Sequence, residues 1–491
     1  MKLKLLLFIF VLLTFGSKAQ TIFSKQFQSP YISLMSVVNS SDSGFIACGD
    51  DAWIKVDRTG NSVWGKGGNI RNTRMCRTND SCYVLVGNHI PSYDMTIIKI
   101  NELGDTVWTS TVSLTNYAYP SKIIETADSS LMIIGVQGFG PAPLTQMFVM
   151  KVAYDGTLLW KKNYYGANYE NKLTGIVEGP DHNFYLCGGM EDRFASFLIK
   201  AVIIKITPFG DLLWNRVYND TVGLHASMSD ICLSGAGLLC CMSENTSRIV
   251  LKTDWDGNVL WSNRYNVSDG QAMLQNFVMG FQKKNENSFL LSCNSDLLSE
   301  LDSTGQILSS FTSIWGLPID YYISTFNNGT AHIAHGFSGS CLVLDDSLHS
   351  SICLIAQGIY PSTPISLLLD SVAFVVDSDG VQNDVPFPIT DFTAFAYDNC
   401  PDVEGVQENT TYHNITIYPN PAISDFVFDF TYTTIPDLII ISDLNGRPVF
   451  NLKPFRTLER IEFSNSLSPG VYVCCFQYSD VWITKRVVVA R

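Results

Sequence analysis

The stretch Ile203-Ile-Lys-Ile-Thr-Pro-Phe-Gly210-Asp-Leu-Leu-Trp214 decides how this chain folds. An apolar run broken by one Lys meets a short turn segment, a Gly, and a second apolar run that closes on Trp. This reads as a β-hairpin, with Gly supplying the positive φ that so tight a loop requires. The phrase recurs from Trp53 to Gly60 and Trp64, from Ile97 to Gly104 and Trp108, from Val149 to Gly156 and Trp160, and from Val250 to Gly257 and Trp261. A sixth copy, Leu301-Asp-Ser-Thr-Gly305, lacks the Trp. Its glycines stand 44, 52, 54, 47 and 48 residues apart, so the chain is built from units of one supersecondary size.

Working outward, another strand precedes each hairpin: Ser43-Gly-Phe-Ile-Ala-Cys-Gly49, Ser81-Cys-Tyr-Val-Leu-Val-Gly87, Ser130-Leu-Met-Ile-Ile-Gly135, Asn183-Phe-Tyr-Leu-Cys-Gly188 and Ser288-Phe-Leu-Leu-Ser-Cys293. One more apolar stretch lies ahead of these, as in Ser33–Val38 and Lys122–Thr126. Four strands per unit predict an all-β protein, a β-propeller in which each unit is a blade. The hairpin phrase resembles the Trp-docking repeats of pyrroloquinoline-quinone-type and related bacterial propellers, over about residues 21–380. The likeness is to the repeat and not to a cofactor site. Six units are clear and Ala331–Asp345 makes a degenerate seventh, so seven blades are expected, with eight as the alternative if residues 350–380 add a half. Ile22–Phe27 reads as a Trp-type strand without its partner, and Val372–Gly380 as a first hairpin strand without its second; the two are expected to complete one blade and remove an edge.

Cys48, Cys187 and Cys241 fall where Val86 and Ile134 stand in other units, which marks a small apolar core position. Cys76 and Cys82, near one turn, are the expected disulfide if one forms among the 13 cysteines. Residues 381–413, with Pro386, Pro388 and Pro401, read as a linker.

From residue 414 the pattern changes. Asp425–Tyr432 alternates with Phe426, Phe428 and Phe430 on one face, Leu438–Asp443 runs to the turn Asn445-Gly446, and three further strands follow. Seven short strands predict a small immunoglobulin-like β-sandwich over 414–491. The motifs Tyr418-Pro419-Asn420-Pro421, Asp443-Leu-Asn-Gly446-Arg447, Leu467-Ser-Pro-Gly470-Val-Tyr472 and Lys485 with Val487–Ala490 resemble, in order, the type A C-terminal sorting domain of the type IX secretion system. That resemblance implies a Bacteroidetes-type source, recognition by the type IX machinery, and release or display outside the cell by way of the periplasm.

The other end agrees. Lys2 and Lys4 precede the apolar run Leu5–Phe15, and Ser17-Lys18-Ala19 offers small residues at a cleavage site, so residues 1–19 read as a signal peptide cut between Ala19 and Gln20. No later segment is apolar for long enough to span a membrane as a helix. Net charge is −14 and charged residues are 16%, against about 25% in ordinary soluble domains. Nucleic acid, which needs a basic surface, is thereby excluded as a partner.

Residues of catalytic pattern are scarce. His332 and His335 are three apart, which in a strand sends them to opposite faces, so no zinc pair is read. Gly336-Phe-Ser-Gly-Ser340 is out of register for a nucleophile elbow. Asp377, Asp379 and Asp384 place carboxylates where calcium could be held, but Asp-x-x-Gly is also the hairpin turn at Asp57, Asp254 and Asp302, and a turn is the reading preferred. The expectation is therefore a non-catalytic module that binds a glycan or protein outside the cell; the alternative is an extracellular hydrolase or lyase with its site on one face of the ring.

Overall fold

A computed structural model describes residues 23–28, most of 33–313, the strand residues between 321 and 398, and most of 415–490. Residues 1–400 and 401–491 form two units.

In the first unit the described residues form seven five-stranded antiparallel sheets. We number them I to VII along the chain. Their first strands are Ser33–Asn39, Ile70–Arg77, Ala118–Glu125, Tyr169–Glu178, Ser227–Ser234, Val278–Lys283 and Tyr321–Thr325. Each first strand contacts that of the next sheet, and the last contacts the first, so seven inner strands close a ring around one axis. This arrangement is a β-propeller.

The middle strands explain the unbroken apolar runs of the repeat. Ala52–Val56 and Met95–Ile100 are buried at every residue, because both faces of each sheet are covered by neighbours. Met132, Ile134 and Val149 of sheet III share a core with Leu186, Val202 and Ile204 of sheet IV, whereas Tyr185, Cys187 and Ile203 on the other face of sheet IV join Met228, Cys240 and Leu251 of sheet V. Alternate residues of one strand thus face alternate inter-sheet cores.

The ring closes through the N-terminal strand. Phe23–Gln28 is the fourth strand of sheet VII, as the orphan strand Ile22–Phe27 led one to expect. Its partner differs from expectation: it is Ser340–Val343, and not Val372–Gly380. Val375–Asp377 instead pairs with Leu158–Tyr165 at the outer edge of sheet III.

That pairing belongs to a larger feature. After sheet VII the chain retraces the ring in reverse, adding one short outer strand to every sheet: Leu354–Gln357 to VI, Ser362–Pro364 to V, Leu368–Asp370 to IV, Val375–Asp377 to III, Val381–Asn383 to II, Thr390–Phe392 to I and Phe395–Asp398 to VII. Val381–Asn383, Thr390–Phe392 and Phe395–Asp398, within the stretch 381–413 read from sequence as linker, are therefore the end of this belt. Their composition misleads for a physical reason: an outer strand needs pairing on one side only, so it tolerates Pro and shows no burial period. Gln382 rivets neighbouring sheets, since its Nε2 donates to Ser110 Oγ at 2.9 Å in sheet II while its Oε1 accepts from the Leu158 N–H at 2.9 Å in sheet III.

The second unit has a three-stranded sheet (Thr416–Tyr418, Phe426–Asp429, Arg460–Phe463) and a four-stranded one (Pro448–Leu452, Leu438–Asp443, Gly470–Tyr478, Val481–Val489). Phe426 and Phe428 of the first share a core with Ile439, Ile441, Cys474, Phe476 and Val487 of the second, which is the alternation read at Asp425–Tyr432. No helix among the described residues is long and apolar enough to cross a membrane.

Candidate functional site

Three polar arrangements stand out. The first joins neighbouring sheets. In sheets I to V the Lys of the repeat phrase pairs in register with the Trp: Lys55 with Trp64, Lys99 with Trp108, Lys151 with Trp160, Lys205 with Trp214 and Lys252 with Trp261. Four of these buried or half-buried lysines meet an Asp from the turn between the first two strands: Asp42 at 2.9 Å, Asp80 at 2.8 Å, Asp128 at 2.7 Å and Asp181 at 2.8 Å. Sheet V lacks the Asp, and Lys252 donates to the Ser234 carbonyl. Sheet VI keeps an ion pair with the charges exchanged: Glu300 stands in the Lys register, opposite Ser309, and meets Lys284 of the turn at 2.8 Å. The hairpin of the following sheet reaches back onto these pairs, as Glu102 does to Lys55 at 2.6 Å and Tyr154 does over Lys99, 3.5 Å from ring centroid to Nζ.

Each Trp is half-buried against the hairpin Gly of the next sheet. A Tyr four residues on adds a bond that sequence reading missed: Tyr164 donates to the Gly210 carbonyl at 2.6 Å, Tyr218 to that of Gly257 at 2.8 Å, and Tyr265 to that of Gly305. The Trp-x-x-x-Tyr spacing at 160, 214 and 261 was its signal.

The second arrangement lies on the inner strands. A register shift interrupts the first strand of each of sheets I to VI, and just past it stand Ser36, Arg74, Lys122, Gly175, Asp230 and Gly280, opposite Cys48, Val86, Ile134, Cys187, Cys241 and Ser292. The expected equivalence of the three cysteines with Val86 and Ile134 is thus a register equivalence, and all five are buried. Such bulges re-aim side chains. Lys122 Nζ meets Asp230 Oδ1 at 2.6 Å, joining sheet III to sheet V past sheet IV. Gly175 makes this passage possible: a Cβ there would stand 2.7 Å from Asp230 Oδ1. Burial pushes the Lys122 ammonium toward neutrality, but the charge of Asp230 outweighs it and keeps Lys122 protonated. Arg74 donates from Nε to the Ser121 carbonyl at 3.0 Å and from Nη1 to that of Thr73 at 3.1 Å. Lys172, on the inner strand of sheet IV, is solvent-exposed yet enclosed; enclosure first, and then the like charge of Arg74, hold its ammonium below the usual lysine range.

Around this layer the thiols are chemically quiet. Burial pushes Cys187 up to about 12, and Cys232 and Cys240 rise further for the same reason, so none is a thiolate at neutral pH. Cys76 and Cys82, expected as a disulfide, are free thiols; Cys76 lies in a strand opposite Val84 and is buried in the core shared by sheets II and III.

The third arrangement gathers the C-terminal motifs. Asn420 clamps the last strand, donating from Nδ2 to the Arg486 carbonyl at 2.9 Å and accepting from the Val488 N–H at 2.9 Å. Ala422, just after Pro421, extends the contact through its N–H to the Val488 carbonyl at 2.7 Å. Tyr418 donates to Asp429 Oδ2 at 3.2 Å, and Pro419 is exposed beside it. Asp443 Oδ1 accepts from the Arg447 N–H at 2.9 Å. Tyr472, buried, donates to the Ser468 carbonyl at 2.7 Å and pairs in register with Asp443 and Val487, while Gly470 pairs with Val489 and Lys485 with Cys474. The Asn420 and Gly470–Tyr472 motifs therefore meet along the terminal strand that carries Lys485, with Asp443 one strand further in. Pro421 and Gly446 themselves lie outside the described residues.

The remaining candidates do not assemble. Asp377 is a belt residue whose Oδ1 accepts from Asn163 Nδ2 at 2.8 Å; its strand belongs to sheet III and the next described strand to sheet II, so the two do not pair with each other. Asp379, Asp384, Ala19 and Gln20 lie outside the described residues, as do the side chains of His332 and His335.

Residues 416–490 match the family described as the secretion system C-terminal sorting domain. This likeness supports a type IX secretion sorting signal at this end of the chain. No curated protein matches. Among solved structures the chain is similar to the hydrazine synthase of Kuenenia stuttgartiensis (12% identity, 66% of this chain and 98% of that one, TM-score 0.46), the WD40 propeller domain of Doa1 (12%, 65% and 96%, 0.44) and the Cps50 (Swd1) propeller domain of Myceliophteria thermophila (9%, 65% and 98%, 0.43).

Proposed function

We propose that this is an exported binding protein: a seven-bladed propeller carried out of the cell by the type IX secretion machinery, which reads the immunoglobulin-like sandwich at its C-terminus. In this reading residues 1–19 are a signal peptide removed between Ala19 and Gln20, residues 20–400 are the propeller with its belt, and residues 401–491 are the address. The observation that carries the export reading is the sorting-family match over 416–490, whose motif residues Asn420, Gly470 and Tyr472 are held against the terminal strand. The propeller is then the cargo, a non-catalytic module for an extracellular glycan or protein.

The test is fractionation of the native host expressing the full chain or one cut after Asp402. The cut chain should collect in the periplasm and the full chain at the surface or in the medium. Equal surface levels without lysis would overturn the export reading. A glycan and protein array probed with the full chain tests the binding reading separately.

A further inference from the structure

Resting on the reading of the propeller as a binding module, we propose that the face of the ring bearing the Gly–Trp hairpins docks a protein segment that is cationic and has an apolar side.

In sheets I to VI the register between the third and fourth strands slips at one place. The slip leaves one residue of the fourth strand without a partner across the ladder: Val63, Val107, Leu159, Leu213, Leu260 and Leu308. All six are aliphatic, and each is between 49% and 59% exposed. In regular alternation the residue beside an inward Trp would turn to the other neighbouring sheet, and a bulge re-aims it. Single exposed leucines are ordinary, but one at the same register of six successive sheets is a patch. The six lie side by side, because the Trp of each of sheets I to V lies against the hairpin Gly of the next sheet. Leu103 and Phe209, at 69% and 73% exposure, extend the patch onto the turns of sheets II and IV. The belt pairs further along the fourth strands, as Val375–Asp377 does with Asn163, Tyr164 and Tyr165 and not with Leu159.

Charge selects the partner. The turns of the six hairpins carry Asp57, Asp105, Asp155, Asp211, Asp254 and Asp302, against a single basic residue, Arg58. Asp211 meets Lys162 at 2.8 Å, but Asp254 and Asp302 accept from N–H groups of their own turns, which leaves their charge in place. A second copy of the chain, at −14, would set acid against acid, and so would an anionic lipid surface. A glycan, rich in hydroxyls, would leave polar groups unpaired against aliphatic side chains. A basic amphipathic segment satisfies both features: its apolar side takes the aliphatic arc out of water, and its cations meet the aspartates.

The experiment is fluorescence anisotropy of the full chain with a labelled peptide of Leu and Lys arranged as an amphipathic helix. The controls are the same composition in scrambled order and the same order with Glu in place of Lys. The amphipathic Leu/Lys peptide should bind, and both controls should bind at least about tenfold more weakly. Leu159→Ser with Leu213→Ser should weaken binding about tenfold and, both sites being half-exposed, melt with the parent. Asp105→Asn with Asp155→Asn keeps the oxygen that accepts in each turn; it should weaken binding about threefold and flatten its salt dependence. Should the serine pair melt lower, the asparagine pair carries the test. Leu369→Ser, at an exposed aliphatic of the belt, should change nothing. Failure to bind at about 100 μM, binding that both pairs leave unchanged, or an equal loss with Leu369→Ser overturns the inference. So does association on sizing columns, or binding to phosphatidylcholine vesicles, that the serine pair abolishes, since the arc would then belong to a second copy or to a lipid surface. If the glycan and protein array gives hits that the serine pair leaves intact, the propeller still binds and only this site falls.

Discussion

Trp64 and Gly104 belong to different sheets, yet the indole lies 3.1 Å from the point where a Cβ on Gly104 would stand. Gly104 also has φ of +81°, so a side chain there is opposed both by the backbone and by the neighbouring ring. The relationship repeats from Trp108 to Gly156, Trp160 to Gly210, Trp214 to Gly257 and Trp261 to Gly305. Gly104→Ala should therefore cost about 1–3 kcal/mol, and Trp64→Ala about 2–4 kcal/mol, below a fully buried Trp because Trp64 keeps part of its surface in solvent. In the double variant the steric part of the Gly104 penalty disappears, so the two losses should sum to less than additivity in denaturant melts.

Sheet VI offers a test of the ion pairs. Lys284→Thr leaves Glu300 buried without its cation and should cost about 2–4 kcal/mol. Adding Glu300→Lys restores the pattern of the other sheets, because Glu286 stands where they carry Asp and the new Lys has it as a partner. The double variant should recover at least half of the loss in chemical denaturation. A double variant weaker than the single one would show that the exchange of charges is not the operative feature.

Acid should act through the turn aspartates. Burial alone raises the carboxyl of Asp181, but hydrogen bonds from Lys205 and Asn183 outweigh it and hold it at about 2. A carboxyl depressed in the folded chain contributes stability above its unfolded value, near 4, and loses that contribution as pH falls toward 2. Asp80 and Asp128 are held lower still, against the same opposing burial, by bonds from Lys99 and Thr78 and from Lys151 and Thr126. Thermal melts should accordingly show a stability loss between about pH 4 and pH 2, and Asp181→Asn, less stable at neutral pH, should have a shallower slope in that window.

The belt makes the position of a truncation decisive. A chain ending after Asp402 keeps every propeller strand and should melt within about 2 °C of the propeller transition in the full chain. One ending after Gly380 loses Val381–Asn383, Thr390–Phe392 and Phe395–Asp398, which bares the outer edges of sheets II, I and VII and removes Gln382 from between II and III. It should melt at least about 5 °C lower and associate on sizing columns, as unprotected edges do. Equal melting of the two would mean that the outer strands are dispensable.

What sequence reading recovered and what it missed divide by strand length and by range. The Lys, Gly and Trp of the hairpin phrase are local signals within a dozen residues, and they located the third and fourth strands of five sheets. The N-terminal strand was legible because Ile22–Phe27 repeats half of that phrase. The belt was not: strands such as Leu368–Asp370 and Thr390–Phe392 are three residues long, too short for any period, and their partners lie far away in the chain. Val375–Asp377 imitated a hairpin strand because outer and inner strands draw on the same β-branched residues. The axial layer was hidden because Lys122 and Asp230 each look like an isolated charge in an apolar strand until the ring brings them together. The C-terminal motifs were the reverse case: each is short and weak, but their order was enough to place them, and Asn420 shows why the first and last must occur together.

Lys25 pairs with Cys341 on one side and with Asp398 on the other. The first strand of the chain is thus seated between two of the last, and neither partner exists until nearly the whole propeller has been synthesised. Closing contacts of such sequence separation are slow, because the entropy of bringing the ends together is spent before any pairing repays it. Ring closure should therefore come late in folding, when Phe395–Asp398 is available to seat the first strand.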